Sequence, residues 1–277
     1  MRKRCIAFTA ALLAFFILFA GTAQALTVNE LLQSATEKME TATGFTAKST
    51  VDLNMSVQDE KLAIRIVSDI KFVRDPLLLK MKNTVTVDNE RQKSEIYAQL
   101  EENELAIYTV MGKAVSRAAL PMTEDALAQS TAAALSEQYL DSYKELKYFG
   151  KDKINGKHVY VLTARLDATA VRDQVESSMT GDILDAIGTQ YLDAILSSMD
   201  DVPVTLYIQQ STRQFVRIEI DMSELMNTVF EKIGTLAEET SGMKVDRYFI
   251  TVDMSNINKV KPFKIPASVM KAAQDAA

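Results

Sequence analysis

Residues 45–59, FTAKSTVDLNMSVQD, alternate between apolar and polar side chains with a single lapse. Phe45, Ala47, Val51, Leu53, Met55 and Val57 take odd positions, while Thr46, Lys48, Thr50, Asp52, Asn54, Ser56 and Gln58 take even ones; before the closing Asp59, Ser49 alone breaks the odd set. A strand sends successive side chains to opposite faces, so this stretch predicts one long, half-buried antiparallel strand. Its apolar face covers either an ordinary core or a cavity that holds something apolar. The strand alone does not choose between them.

Upstream, 26–43 reads as a helix, with Leu31, Leu32, Ala35, Met39 and Ala42 at helical spacing and Gly44 as its stop. Downstream, Leu62, Ile64, Ile66, Ile70 and Phe72 alternate with Arg65, Asp69 and Lys71 in a second strand, and Asp75-Pro76 turns the chain. Leu79, Met81, Val85 and Val87 mark a third strand over 77–87. A further hairpin is predicted at 94–100 and 104–111, which makes a five-strand antiparallel meander. An Ala-rich helix is predicted at 126–146, followed by strands bent around Asn155-Gly156 within 148–166. Beyond a helical segment at 169–199 come a hairpin (202–209 and 214–222), a helix (223–239) and a strand (245–254). No linker rich in Pro, Gly or Ser divides the series, so 26–277 is read as one domain. IDMSEL at 220–225 and VDMSNI at 252–257 echo each other, which local Asp and Ser turn chemistry at strand exits explains.

The first 25 residues read as a cleaved secretory leader. Arg2, Lys3 and Arg4 precede an apolar run at 6–20, and Ala23-Gln24-Ala25 has the small-residue cleavage pattern. The run is shorter than the roughly 20 residues that span a bilayer. Cys5, the only cysteine, precedes that run, so a mature chain cut after Ala25 has no disulfide, thiolate nucleophile or lipid-anchoring cysteine. Removing three basic residues with the leader leaves 28 basic against 37 acidic, a net charge near −9. Such a chain, with no basic cluster in its sequence, is expected to be a poor partner for nucleic acid or anionic lipid headgroups.

An enzyme needs a nucleophile, an acid–base pair or a metal. His158 is the sole histidine and is read as an ordinary strand residue. No Gly-x-Ser-x-Gly elbow, calcium loop or glycine-rich phosphate loop is present, and Asp200-Asp201 and Glu238-Glu239 fall in predicted turns or solvated helix faces. The reading is therefore non-enzymatic, with no cofactor and no metal. What remains is apolar surface. In 169–199, Val171, Val175, Met179, Ile183, Ile187, Tyr191, Ile195 and Met199 follow at steps of four, each step turning the stripe by about 40°. A helix apolar over so wide an arc is buried on several sides or covers a cavity.

Four stretches resemble the LolA/LppX-like superfamily of bacterial envelope proteins. They are LLQSATEKMETATGFTAKSTVDLNMSV (31–57), YFGKDKINGKHVYVLTARLD (148–167), VPVTLYIQQSTRQFVRIEIDMS (202–223) and FKIPASVMKAA (263–273). The resemblance implies an α+β fold, a strongly curved antiparallel sheet forming an open half-barrel with helices covering its concave face. Between sheet and helices such proteins hold the acyl chains of lipids or lipoproteins. Many relatives carry a lipid anchor on a cysteine after the leader, which this chain lacks. The expectation is thus an exported protein, released and not lipid-anchored, with membrane contact but no integral insertion. It would shelter a lipid or acylated ligand lined by Leu53, Met55, Ile64, Ile66, Leu79, Met81, Ile187, Tyr191 and Ile195. The alternative is an interaction or regulatory module for an envelope protein partner, with a solidly packed half-barrel.

Overall fold

The structure, a computed structural model, describes residues 27–57, 60–101, 104–121, 142–169, 172, 196, 200–234 and 242–275. The opening helix α1 (Val28–Glu40) begins with a capping box. Thr27 Oγ1 accepts from the Glu30 backbone N–H at 3.2 Å, and the Thr27 N–H donates to Glu30 Oε2 at 2.7 Å. The predicted alternating strand follows as β1 (Gly44–Val57). It leads a meander of β2 (Glu60–Val73), β3 (Leu78–Val87), β4 (Glu90–Glu101), β5 (Glu104–Met111) and β6 (Ala114–Pro121). The second half comprises β7 (Tyr143–Ile154), β8 (Lys157–Leu166), β9 (Val202–Gln209), β10 (Phe215–Asp221), helix α2 (Ser223–Gly234), β11 (Met243–Ser255) and helix α3 (Ala267–Asp275).

All eleven strands form one antiparallel sheet in the order β6-β5-β4-β3-β2-β1-β11-β10-β9-β8-β7. Its ends, β6 and β7, do not meet, so the fold is an open half-barrel of the α+β class. Each half is a run of neighbours in sequence, and the two halves join where β1 pairs with β11, from Thr46↔Ser255 to Val57↔Met243. A register shift between Asn54 and Met55 interrupts this seam. There Asn227 of α2 takes over the ladder, accepting from the Val245 N–H at 2.7 Å and donating to its carbonyl at 2.8 Å.

Because partners in an antiparallel ladder share a face, the registers sort every strand residue into one of two faces. The odd residues of β1 lie on a face whose core is built at the β7–β11 half. There Leu31, Leu32 and Ala35 of α1 pack with Leu162, Val204, Leu206, Ile208 and Phe215. α2 joins the same face through Leu225 and Val229 against Val202. α3 sits on the opposite face, where Ala273 and the preceding Ile265 meet Tyr97, Ala106 and Tyr108 of β4 and β5.

Four expectations are corrected. Gly44 does not stop the helix, which ends at Glu40 with Thr41 as its cap. It opens β1, where an added Cβ would lie 2.6 Å from the Phe72 carbonyl oxygen; the glycine is needed for close backbone approach. The meander has six strands, because the Ala-rich 114–121 carries little alternation yet pairs along its length with β5. Tyr143 and Leu146 are not helical: they begin β7 and pack on the α1 cluster, the strand accommodating them by a shift between Lys144 and Lys147. Finally, Asp221 does accept from the Ser223 N–H at 3.0 Å as turn chemistry requires, but Asp253 lies inside β11 and binds Arg217. The rest of the predicted helix at 126–146, most of 169–199 and the leader lie outside the described residues.

Two tests follow from this packing. Gly44→Ala pushes a methyl into a backbone oxygen that cannot rotate away, and should destabilise the fold by about 1–3 kcal/mol in urea denaturation. The second concerns the exit of β8. Lys144 Nζ lies 2.6 Å from Asp167 Oδ2 and 3.1 Å from Asp201 Oδ1. Its hydrogen bond, with that from the Thr169 N–H, holds the Asp167 carboxyl down to about 2. A carboxyl depressed on folding contributes stability above its unfolded value, and that contribution is lost as pH falls through the folded one. Melting temperatures of the wild type and Asp167→Asn should therefore differ at pH 6 and converge towards pH 2.

Candidate functional site

The two faces of β1–β3 carry different chemistry. Of the predicted lining residues, Leu53 is registered to Ile64, Met55 to Leu62 and Val51 to Ile66, and Ile66 in turn to Val85. Phe72 pairs with Leu79, and Ile70 with Met81. Leu53, Met55, Ile64, Ile66, Leu79 and Met81 thus share the apolar face. Met55 is buried and the other five are half-buried. Ile187, Tyr191 and Ile195 lie outside the described residues.

Ser49, the lapse in the alternation, has a structural context. It is registered to Ser68, Ser68 to Asn83, and Asn83 to Ser94, so one polar row crosses the apolar face over four strands. Asn83 Oδ1 is buried there without a hydrogen-bond partner. A buried acceptor left unpaired costs about 1–3 kcal/mol, so a donor arriving at this row gains more than it would elsewhere on the face. No pairwise reading of single strands reveals this row; it exists only once the register is set.

The opposite face is charged in an ordered way. Arg217, Asp253, Lys48, Asp69, Lys82 and Glu95 are successive cross-strand neighbours on β10, β11, β1, β2, β3 and β4, so their signs alternate across six strands. Arg217 binds Asp253 through two nitrogens, at 2.7 and 3.0 Å, an interaction that raises the Arg217 pKa. At the other end Lys82 Nζ lies 3.2 Å from Glu95 Oε1, while Tyr97 donates to Glu95 Oε2. That hydrogen bond lowers the Glu95 pKa, and burial together with Glu95 pushes Tyr97 up to about 12.

On this charged face lies a cleft of about 530 Å³. Its walls include Thr46, Lys48, Asp69, Lys71, Lys80 and Lys82 from β1–β3, Asp253 and Ser255 from β11, Val216 from β10, and Asn155 and Lys157 from the β7–β8 turn. β3 and β8 are six strand spacings apart in the sheet order, which in a flat sheet would separate them by about 29 Å. That both line one cleft means that the sheet bends back over its charged face at this end.

His158 is exposed on β8 opposite Lys153 and lines neither this cleft nor the smaller one beside Asp200 and Asp201. Among the described residues no cluster of His, Cys, Asp and Glu could hold a metal ion. None of their helices is long and apolar enough to cross a membrane.

Among solved structures the chain is similar to the lipoprotein LppX of Mycobacterium tuberculosis, at 12% identity over 88% of this chain and 100% of that one, with a TM-score of 0.45. It is similar also to LprF from Mycobacterium bovis, at 14% identity over 87% and 96% of the two chains and a TM-score of 0.45. A LolA superfamily protein from Nitrosomonas europaea matches at 11% identity over 88% and 97%, with a TM-score of 0.23. Two of these structures bear the names, LppX and LolA, of the superfamily that the quoted motifs resemble. A search of curated proteins finds no match. The model of a family of unknown function, DUF6612, matches residues 27–274, and the chain belongs to that family.

Proposed function

We propose that this protein is an exported, non-enzymatic carrier that shelters an acyl chain against the apolar face of β1–β3. What carries the reading is a contrast in packing. Leu53, Ile64, Ile66, Leu79 and Met81 share one face and are half-buried, yet among the described residues none of the hydrophobic clusters takes in a residue of β1, β2 or β3. An apolar face that wide is costly to leave wet. A sixteen-carbon chain laid along it would gain on the order of 10 kcal/mol from methylene burial, before the costs of binding.

The proposed lining is Leu53, Met55, Ile64, Ile66, Leu79 and Met81, completed by Ile187, Tyr191 and Ile195 of the segment whose apolar stripe winds around a helical repeat. The leader-like first 25 residues support an extracytoplasmic site of action. The reading rests on the face itself.

Native mass spectrometry after exposure to mixed phospholipids and fatty acids tests this. The wild type should retain one acyl ligand, and Ile66→Asp combined with Met81→Asp should abolish retention while the circular dichroism spectrum is kept. A wild type that retains nothing would sink the reading. A second reading, a module that docks an envelope protein, is favoured by one observation: Phe149 is 78% exposed on β7, the terminal strand of the sheet. Phe149→Ser should leave lipid retention unchanged under the carrier reading. Under the docking reading it should weaken partner capture, with no ligand retained by either form.

A further inference from the structure

The alternating ladder neutralises its own charges, but the next row of the same face does not. One step along the strands, Thr46, Lys71, Lys80 and Tyr97 are successive neighbours on β1, β2, β3 and β4. Lys71 and Lys80 are thus directly opposed, like charges in a position that normally destabilises a sheet. Both are half-buried, and both are placed by aromatic rings. Lys71 Nζ lies 4.8 Å from the centroid of Phe263, in the segment between β11 and α3, and Lys80 Nζ lies 4.9 Å from that of Tyr97. Lys80 reaches Glu95 only at 3.7 Å, and that carboxylate already serves Lys82 and Tyr97.

The doublet lies in the wall of the cleft described above. Lys48, Lys71, Lys80, Lys82 and Lys157 line it against Asp69 and Asp253, and Asp253 is engaged by Arg217 on both oxygens. A chain with 37 acidic and 31 basic residues thus brings five lysines to one hollow, of which Lys48 and Lys82 face carboxylates of the ladder. Lys157 arrives from the far side of the bend, on a turn set by Asn155 and Gly156, both at positive φ. Ala47, Ile70, Val216 and Met254 also line the hollow, so part of its wall is apolar.

We infer that this cleft binds a compact oxyanion with more than one negative charge, a phosphate or phosphate monoester, between the Lys71–Lys80 doublet and Lys157. A single carboxylate would neutralise one ammonium and leave the doublet repelling. A phosphate dianion can accept from several ammonium groups at once, and its low-pH form, with its second proton bound below about pH 6, is a poorer match. Lys48, Lys71, Lys80 and Lys82 lie on the face opposite the proposed acyl-chain lining, so this inference does not depend on the carrier reading.

The test is titration of the full protein with inorganic phosphate at low ionic strength, followed by 31P line broadening and by calorimetry. Saturable binding is expected, weakening between pH 7.5 and 5.5. Lys71→Met and Lys80→Met keep the stems and should each weaken binding by about tenfold, as expected for a charged hydrogen-bond partner removed. Lys157→Glu at the start of β8 should do the same, and this variant tests the bend without disturbing β2 or β3. Lys113→Met, in the β5–β6 turn away from the cleft, should change nothing.

Phosphate should also raise the melting temperature of the wild type but not of Lys71→Met. A parallel arm uses vesicles of phosphatidic acid in phosphatidylcholine, against phosphatidylcholine alone. Lysine-dependent binding to these vesicles without binding of free phosphate assigns the same site to a lipid headgroup. No binding in either arm, or binding that the three cleft variants leave unchanged, overturns the inference.

Discussion

The structure depends on the pairing of β1 with β11. Thr46 and Ser255 are 209 positions apart, and their side chains meet at 2.9 Å. Each half of the sheet pairs strands that are neighbours in sequence, although β8 and β9 meet across 167–201. The seam closes a far longer loop, and closing a longer loop costs more chain entropy. Around it the chain concentrates its precise contacts. Asn258 accepts from the Thr43 N–H through its side chain at 2.7 Å and donates its own N–H to the Gly44 carbonyl at 2.8 Å. Asn227 bridges the register shift on β11. Arg217 holds Asp253 from the neighbouring strand.

Once that seam is set, the two faces acquire separate roles. The apolar face receives α1 and α2 at the β7–β11 half and presents Leu53, Ile64, Ile66, Leu79 and Met81 at the other. The charged face carries a ladder of alternating sign and, beside it, an opposed pair of lysines in the wall of a cleft. Those two rows belong to one register and lie two residues apart along each strand. A slip by one residue would exchange the faces of an entire strand, so burial of the apolar face and pairing of the charged one enforce the same alignment.

Much of this was legible in the chain. The alternation of 45–59, of 60–72 and of 77–87 identified three strands within a residue or so of their bounds, because period-two burial leaves a period-two pattern. Six of the nine expected lining residues fall on one face for the same reason. Less legible were β6, whose small side chains hardly alternate, and Tyr143 to Leu146, whose composition suits a helix but whose partners lie on β8. Gly44 was misread because a glycine after a helical pattern has a common local meaning, and only the Phe72 carbonyl 2.6 Å from its would-be Cβ shows the other one.

By itself, then, the sequence determined most of the strands outside β6 and the start of β7, which face of β1, β2 and β3 is apolar, and that the catalytic inventory is thin. Those properties are local, written in spacing and composition. Only the tertiary structure decided which strand lies beside which. It made one row of Ser49, Ser68, Asn83 and Ser94, a ladder of Arg217 to Glu95, and a cleft of lysines drawn from β1, β2, β3 and β8. The lysines are scattered between positions 48 and 157, where nothing in the sequence marks them as a group. Register and bending bring them together, and both are set by contacts between residues too far apart in the chain for any local pattern to encode.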